Sequence, residues 1–260
     1  MYIFITYQDD NLTSLEELPR TLVNIKSFNQ ITNYDKVIII ECNNMGLTSL
    51  ENLPNGLLEL ICEYNNLIKL PNLPNSIKKL ICQENQLTEL PELPNPLKNI
   101  DCESNKLTVL PKLPNTLELL YCGNNKLSIL PKLPNSLEIL QCEQNQLTEL
   151  PELSNSLQKL YCHNNYLSVL PELPSSLQHL YCMNNQLTQL PELPESLDIL
   201  MCFYNKLTSL PKLPKSLVKL RCYSNQLSVL PELPNSLTEL DCLFNKFIKN
   251  IKYNYINRII

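Results

Sequence analysis

Alanine and tryptophan are absent from this chain of 260 residues, glycine occurs three times and histidine twice. So little glycine leaves no phosphate-cradling loop, and two histidines offer little acid–base capacity. No G-x-S-x-G elbow and no H-E-x-x-H pair occurs. Neither C-x-x-C nor H-x-x-x-H spacing is present, so tetrahedral zinc lacks a ligand set. We therefore expect no catalytic residue, no cofactor and no metal, and hence no enzyme. Long apolar runs are also missing, because proline recurs too often for a segment to span a bilayer. The opening, Met1 to Asp10, lacks a basic region and has too short an apolar run for a secretory signal. The expectation is a soluble protein of a reducing intracellular compartment. A formal net charge of -5 disfavours nucleic acid, whose phosphates attract basic grooves. Missing alanine and scarce glycine fit an AT-rich genome and say nothing about mechanism.

What the chain has is a beat. From Val37 onward it repeats every twenty residues without insertion or deletion, and all eleven cysteines fall on one position. They are Cys42, Cys62, Cys82, Cys102, Cys122, Cys142, Cys162, Cys182, Cys202, Cys222 and Cys242. A period in this range means a stacked solenoid, each unit burying its apolar face against its neighbours. With 43% hydrophobic and 18% charged residues, a continuous core is expected and wholesale disorder is not. Such an architecture points to recognition of a partner.

Residues 57–76 are a typical unit, LLELICEYNNLIKLPNLPNS. The pattern is L-x-x-L-x-C-x-x-N-x-L followed by x-x-L-P-x-L-P-x-S. Alternating inward Leu60 and Cys62 predict a short strand, pairing in parallel with that of the next unit. Pro71 and Pro74 cannot donate to a ladder and fix φ near the polyproline II value. The return path therefore reads as extended, with Leu70 and Leu73 inward. Asparagine fills one column ten times, from Asn65 to Asn245, with Met45 in the first unit. Its amide can donate and accept, so this column reads as a ladder bonding loop backbones of its own and adjacent units.

The pattern resembles the leucine-rich repeat, with cysteine in place of its third leucine. The L-P-x-L-P half is similar to the twenty-residue class in bacterial effectors of the YopM and IpaH type and in proteins of large viruses. The resemblance covers eleven units over residues 37–247. It implies a parallel β-sheet on a concave face, an extended, polyproline-like convex face and little helix. The ubiquitin-ligase domain that some of those effectors carry is not expected, since its Cys-x-Asp motif is absent. Residues 1–36 read as an N-terminal cap of divergent repeats, with Tyr2–Tyr7 as an edge strand and 22–36 as an irregular unit. Residues 248–260 read as a C-terminal cap or tail. The basic residues after Asn245, namely Lys246, Lys249, Lys252 and Arg258, read as solvated rather than as an anionic docking site.

Disulfides are not expected among the cysteines, whose side chains run in parallel about 4.8 Å apart rather than converging. Their odd number argues the same way. Buried without charged neighbours, the thiols read as inert small apolar filler. His163 follows Cys162 directly, but strand alternation sends the two to opposite faces.

In the repeats that this chain resembles, outward strand positions contact ligands. Early units carry Glu59, Glu63, Glu84, Asp101 and Glu103 there, with Lys79 the exception. Later units carry Leu119, Tyr121, Ile139, Tyr161, His163, His179, Tyr181, Met183, Ile199, Met201, Phe203, Tyr204 and Tyr223. We take this second set as the candidate partner-binding surface, since exposed apolar patches mark interaction sites. Strand propensity alone also favours Tyr, Ile and Phe, but it does not explain acids at equivalent earlier positions. Charges between the prolines, such as Lys112, Lys132, Glu152 and Glu172, read as solvated. The expected function is non-catalytic binding of a protein partner on the concave sheet by a monomer or weak homo-oligomer. By resemblance this would be an effector or adaptor in host cytoplasm, with host–virus interaction one setting. The alternatives are a structural or self-associating component using the same surface, and a ligase subunit that recruits a catalytic partner.

Overall fold

The structure, a computed structural model, describes residues 2–7, 21–24, 34–51 and 53–247. Two compact units divide the chain, Met1–Lys126 and Leu127–Ile260. In unit 1 the strands are β1 (Tyr2–Tyr7), β2 (Thr21–Asn24), β3 (Val37–Glu41), β4 (Glu59–Ile61), β5 (Lys79–Ile81), β6 (Asn99–Asp101) and β7 (Leu119–Tyr121). Unit 2 holds β8 (Ile139–Gln141), β9 (Lys159–Tyr161), β10 (His179–Tyr181), β11 (Ile199–Met201), β12 (Lys219–Arg221) and β13 (Glu239–Asp241). Among the described residues the only helix is a 3-10 turn, Tyr34–Lys36.

From β3 onward each unit is a parallel sheet built in sequence order. Its register is constant, so residues one period apart are partners, as in Ile61 with Ile81 and Tyr161 with Tyr181. The ladder continues past each short strand. Cys62 N–H donates to Ile81 O at 2.8 Å and Tyr64 N–H to Gln83 O at 3.1 Å. At Tyr64 and its ten counterparts, none of them glycine, φ lies between 49° and 56°. That left-handed turn is costly for a side chain, and it ends the strand by bending the chain into the loop. The ladder bond and the asparagine that follows hold it in place.

The N-terminal strands differ from expectation. β1 is not an edge: it lies between β2 and β3 and pairs antiparallel with both. β2, which overlaps the start of the stretch read as irregular, is the outer strand. The aromatic and β-branched run YIFITY suits a strand, and antiparallel entry ends the parallel stack. The remainder of the proposed N-terminal cap before Tyr34, and all of 248–260, lie outside the described residues.

Inside the central turns the expected residues are buried, whereas Leu47 and Leu50 near one end and Leu237 and Leu240 near the other are half-buried. Leu157, Leu160, Cys162 and Leu167 are fully enclosed and Leu170 nearly so. The second leucine of the L-P-x-L-P half is more variable, buried at Leu113, Leu133 and Leu213 but only half-buried at Leu73, Leu173 and Leu193. All eleven cysteines are buried, with free thiols. Burial pushes the thiols of Cys42 and Cys182 up to about 12, so they stay protonated at neutral pH.

The asparagine column bonds as its chemistry suggests. Asn65 Oδ1 accepts from Met45 N–H at 2.9 Å and Leu47 N–H at 3.0 Å. Its Nδ2 donates to Cys42 O, Cys62 O and Glu63 O at 2.8–3.1 Å. One amide thus satisfies backbone groups in two consecutive turns. A second ladder runs through the final serine of the repeat. Ser76 Oγ donates to Asn55 O at 2.8 Å and Leu57 O at 2.6 Å, and Ser176 and Ser196 repeat the arrangement. Where proline is replaced by Ser154, the buried hydroxyl donates to Asn135 O at 2.8 Å and accepts from Ser156 N–H at 3.1 Å.

Candidate interaction face

Strand alternation sends Leu160 and Cys162 inward, so Lys159 and Tyr161 stand on the opposite face of β9. Constant register then stacks like positions of successive turns about 4.8 Å apart. Any aromatic repeated in one column therefore meets its copy face to face.

Unit 2 uses this twice. Tyr161 and Tyr181, one residue before the cysteines, stack with ring centroids 4.6 Å apart and planes 14° from parallel. Phe203 and Tyr223, one residue after the cysteines, stack at 4.4 Å and 10°. Tyr204, at the left-handed position, packs edge-on against Phe203 at 5.7 Å and Tyr223 at 5.3 Å. His179 meets the edge of Tyr181 at 6.4 Å. Such pairs contribute about 0.5–1.5 kcal/mol each beyond area burial, so the rings are fixed before any partner arrives.

The other expected residues fall on the same sheet faces with differing exposure. Ile139, Met183 and Ile199 are half-buried, and Tyr204 is 52% exposed. Met201 is 7% exposed and offers little surface of its own. Leu119 and Tyr121 are half-buried on β7, in unit 1. His163 is half-buried, burial lowers its pKa, and its Nδ1 is enclosed without a hydrogen-bond partner among the described residues. His179 Nε2 lies 3.3 Å from Asp198 Oδ1, at ion-pair distance.

Charged residues on the unit 2 face were missed by the search for apolar positions. Glu239 accepts from Arg221 and lies 2.5 Å from Lys219 Nζ. Those two hydrogen bonds hold its carboxyl below the usual range. Leu243 and Phe244, 54% and 79% exposed, extend the columns of Tyr223 and Tyr204. The period itself was the signal that could have found them.

The face of unit 1 is acidic. Glu63 accepts from Asn43 Nδ2 at 3.3 Å and Gln83 Nε2 at 2.5 Å, so amides rather than cations meet it. Burial, reinforced by Glu103 and Glu63, raises the Asp101 carboxyl from 3.8 to about 6, against an opposing hydrogen bond from Glu103 N–H. Among the described residues no group of three or more His, Cys, Asp or Glu has the geometry to hold a metal. No described helix is long and apolar enough to cross a membrane.

Registered parallel strands, an inward leucine–cysteine core, an asparagine ladder and extended returns define a leucine-rich repeat solenoid, a fold typical of protein–protein interaction and generally non-catalytic. The family model for leucine rich repeats (2 copies) matches residues 155–195. YopM from Yersinia pestis, a leucine-rich effector protein, is 43% identical with a TM-score of 0.76, over 80% of this chain and 61% of that one. The leucine-rich repeat domain of a Shigella effector is 32% identical with a TM-score of 0.51, over 56% of this chain and 69% of that one. The functional domain of InlJ from Listeria monocytogenes, which includes a cysteine ladder, is 25% identical with a TM-score of 0.68, over 86% of this chain and 52% of that one. No curated protein matches. The chain belongs to the leucine-rich repeat family and resembles its bacterial effector class. It spans about three fifths of the two YopM chains, at 57% and 61%.

Proposed function

We propose that this chain is a non-catalytic module that holds a partner protein on the sheet face of unit 2. The observation that carries this reading is the two pre-stacked ring pairs, Tyr161 with Tyr181 and Phe203 with Tyr223. Large, rigid aromatic contacts bind at low entropic cost, and tyrosine is enriched where partners meet. Leu119 and Tyr121 enter as further contacts on the face of unit 1. The module takes no cofactor, metal or nucleic acid in this reading. The effectors among its similar structures support a role as effector or adaptor inside a host cell. A reducing compartment there would keep the eleven thiols free. The segments 1–36 and 248–260 act as caps.

The test is a double substitution, Tyr161→Ala with Tyr181→Ala. Capture of a partner from host lysate should be lost, while circular dichroism is unchanged and the melting temperature nearly so. Normal capture by the double variant would refute the assignment of this face. Light scattering across concentration tests self-association. A stable homodimer that hides the tyrosines would replace the partner by a second copy.

A further inference from the structure

We propose that Asn55 is a self-modification site, converted to aspartyl and isoaspartyl forms by attack of the Gly56 backbone nitrogen on its side-chain amide. The argument starts from a turn the chain repeats. Leu57 N–H donates to Pro54 O at 3.1 Å, placing Asn55 and Gly56 at the two central positions. The same bond closes the turns at Ile77, Leu97, Leu117, Leu137, Leu157 and Leu237, at 3.1–3.2 Å. In each of these turns an asparagine again sits at the first central position. Ser or Thr follows it in every case but Asn95, where Pro96 has no N–H to attack with. Only Asn55 is followed by glycine.

Both reacting groups are free. The Asn55 side chain is exposed and, like the Gly56 N–H, makes no hydrogen bond to the described residues. Gly56 has no Cβ to shield the approach, and glycine gives the backbone the freedom to reach the geometry of attack. It also lacks the hydroxyl that Ser76 uses to clamp the preceding turn through two carbonyls. Glycine thus makes the first turn of the series the most reactive, even with Asn55 O and Leu57 O held by Ser76 Oγ.

The chemistry balances with water as the only co-reactant. The Gly56 nitrogen gives its proton to solvent base and bonds to Asn55 Cγ. The Cγ–Nδ2 bond breaks, and ammonia leaves with a proton from solvent. Water then opens the cyclic imide at either carbonyl. Attack at the side-chain carbonyl restores a normal backbone with aspartate. Attack at the backbone carbonyl gives isoaspartate, which lengthens the main chain by a methylene. Asn55 O and Leu57 O are the two acceptors of Ser76 Oγ, so the longer turn pulls against that clamp. The new carboxylate arises next to the contact with Asp35, whose carbonyl lies 3.7 Å from a Cβ built at Gly56.

The repeats supply their own controls. The folded full chain is incubated in mildly alkaline buffer at physiological temperature and mapped by peptide mass spectrometry with an isoaspartyl-specific methyltransferase. Asn55 should gain about one dalton at least about tenfold faster than Asn75, Asn135 and Asn155 in the same molecule. Gly56→Ser restores the residue of the other turns, and the 3.7 Å contact leaves room for its Cβ. That variant should bring Asn55 down to their rate. Equal rates at all four asparagines would overturn the proposal. So would an Asn55 that stays intact in the folded chain while the urea-unfolded chain deamidates there.

Discussion

On the outward positions of unit 1, Glu41, Glu59, Glu63, Glu84, Asp101 and Glu103 stand against one cation, Lys79, whereas unit 2 sets Lys159, Lys219 and Arg221 against Glu143, Glu239 and Asp241. From β4 onward the backbone beneath is the same in both: three-residue strands, constant register and a left-handed residue two past each cysteine. Fold alone therefore does not dictate what these faces carry. The column just before the cysteines carries large apolar side chains among polar ones in both units, with Glu41, Ile61, Ile81, Asp101 and Tyr121 in one and Gln141, Tyr161, Tyr181, Met201, Arg221 and Asp241 in the other. Large apolar side chains suit that half-buried strand position wherever it occurs. The column just after the cysteines separates the units. It reads Asn43, Glu63, Gln83, Glu103 and Gly123 in unit 1, but Glu143, His163, Met183, Phe203, Tyr223 and Leu243 in unit 2. Phe203 and Tyr223 are thus the aromatic pair that strand geometry explains least and partner binding explains best.

If the units share one core plan, equivalent core truncations must hurt equally. Leu80→Ala in unit 1 and Leu180→Ala in unit 2, both fully buried, should each cost about 2–5 kcal/mol in urea denaturation. A clear difference between them would break the comparison at its base. Asparagine comes next in size. Asn85 and Asn185 each donate to three carbonyls and accept from a leucine N–H of the preceding turn. Their replacement by alanine strands those groups and should cost about 1–3 kcal/mol in either unit. Smaller still is the stability effect of Phe203→Ala with Tyr223→Ala, about 0.5–1.5 kcal/mol for the lost stack. Partner capture should nevertheless disappear. Retention of capture would place the contact on the column shared by both units.

The repeat made most of this legible in the sequence. Leu60, Cys62 and Asn65 each recur in a register that only stacked strands satisfy, so strand, core and ladder could be read from spacing. The left-handed residue was not legible, because its column holds Tyr64, Glu84, Ser104 and Phe244 and no glycine advertises it. Geometry there is imposed by ladder bonds from the next turn, a tertiary cause that local propensity does not record. β1 was misplaced for a related reason. The aromatic and β-branched run YIFITY announces a strand but not which strands will flank it. On the face, spacing identified which aromatics share a column, but not that Met201 would be covered by its neighbours. Nor did it show Glu239 drawing Arg221 and Lys219 together.

Protonation gives the smallest expected effects and the sharpest contrast, because the two faces should answer acid with opposite signs. Burial first, then Glu103 and Glu63, raises Asp101 in unit 1 from 3.8 to about 6. The folded state therefore holds a proton that the unfolded chain gives up. Stability from this group is full below the unfolded value and is lost as pH rises through about 6. In unit 2, burial lowers His163 below its ordinary 6.5, so the folded state resists a proton that the unfolded chain accepts. Its contribution is present above 6.5 and is lost as pH falls through that value toward the folded one. Going from about pH 7 to pH 5, Asp101 should add stability to unit 1 while His163 removes it from unit 2. Both side chains are partly solvated, so each effect should stay under about 1 kcal/mol. Amide hydrogen exchange resolved by unit can measure this, with each variant set against the parent chain. Asp101→Asn should flatten the pH slope of unit 1 alone, and His163→Gln that of unit 2 alone. If both substitutions change the slopes in the same direction, buried charge does not distinguish the faces, and the contrast between them ends at shape and apolarity.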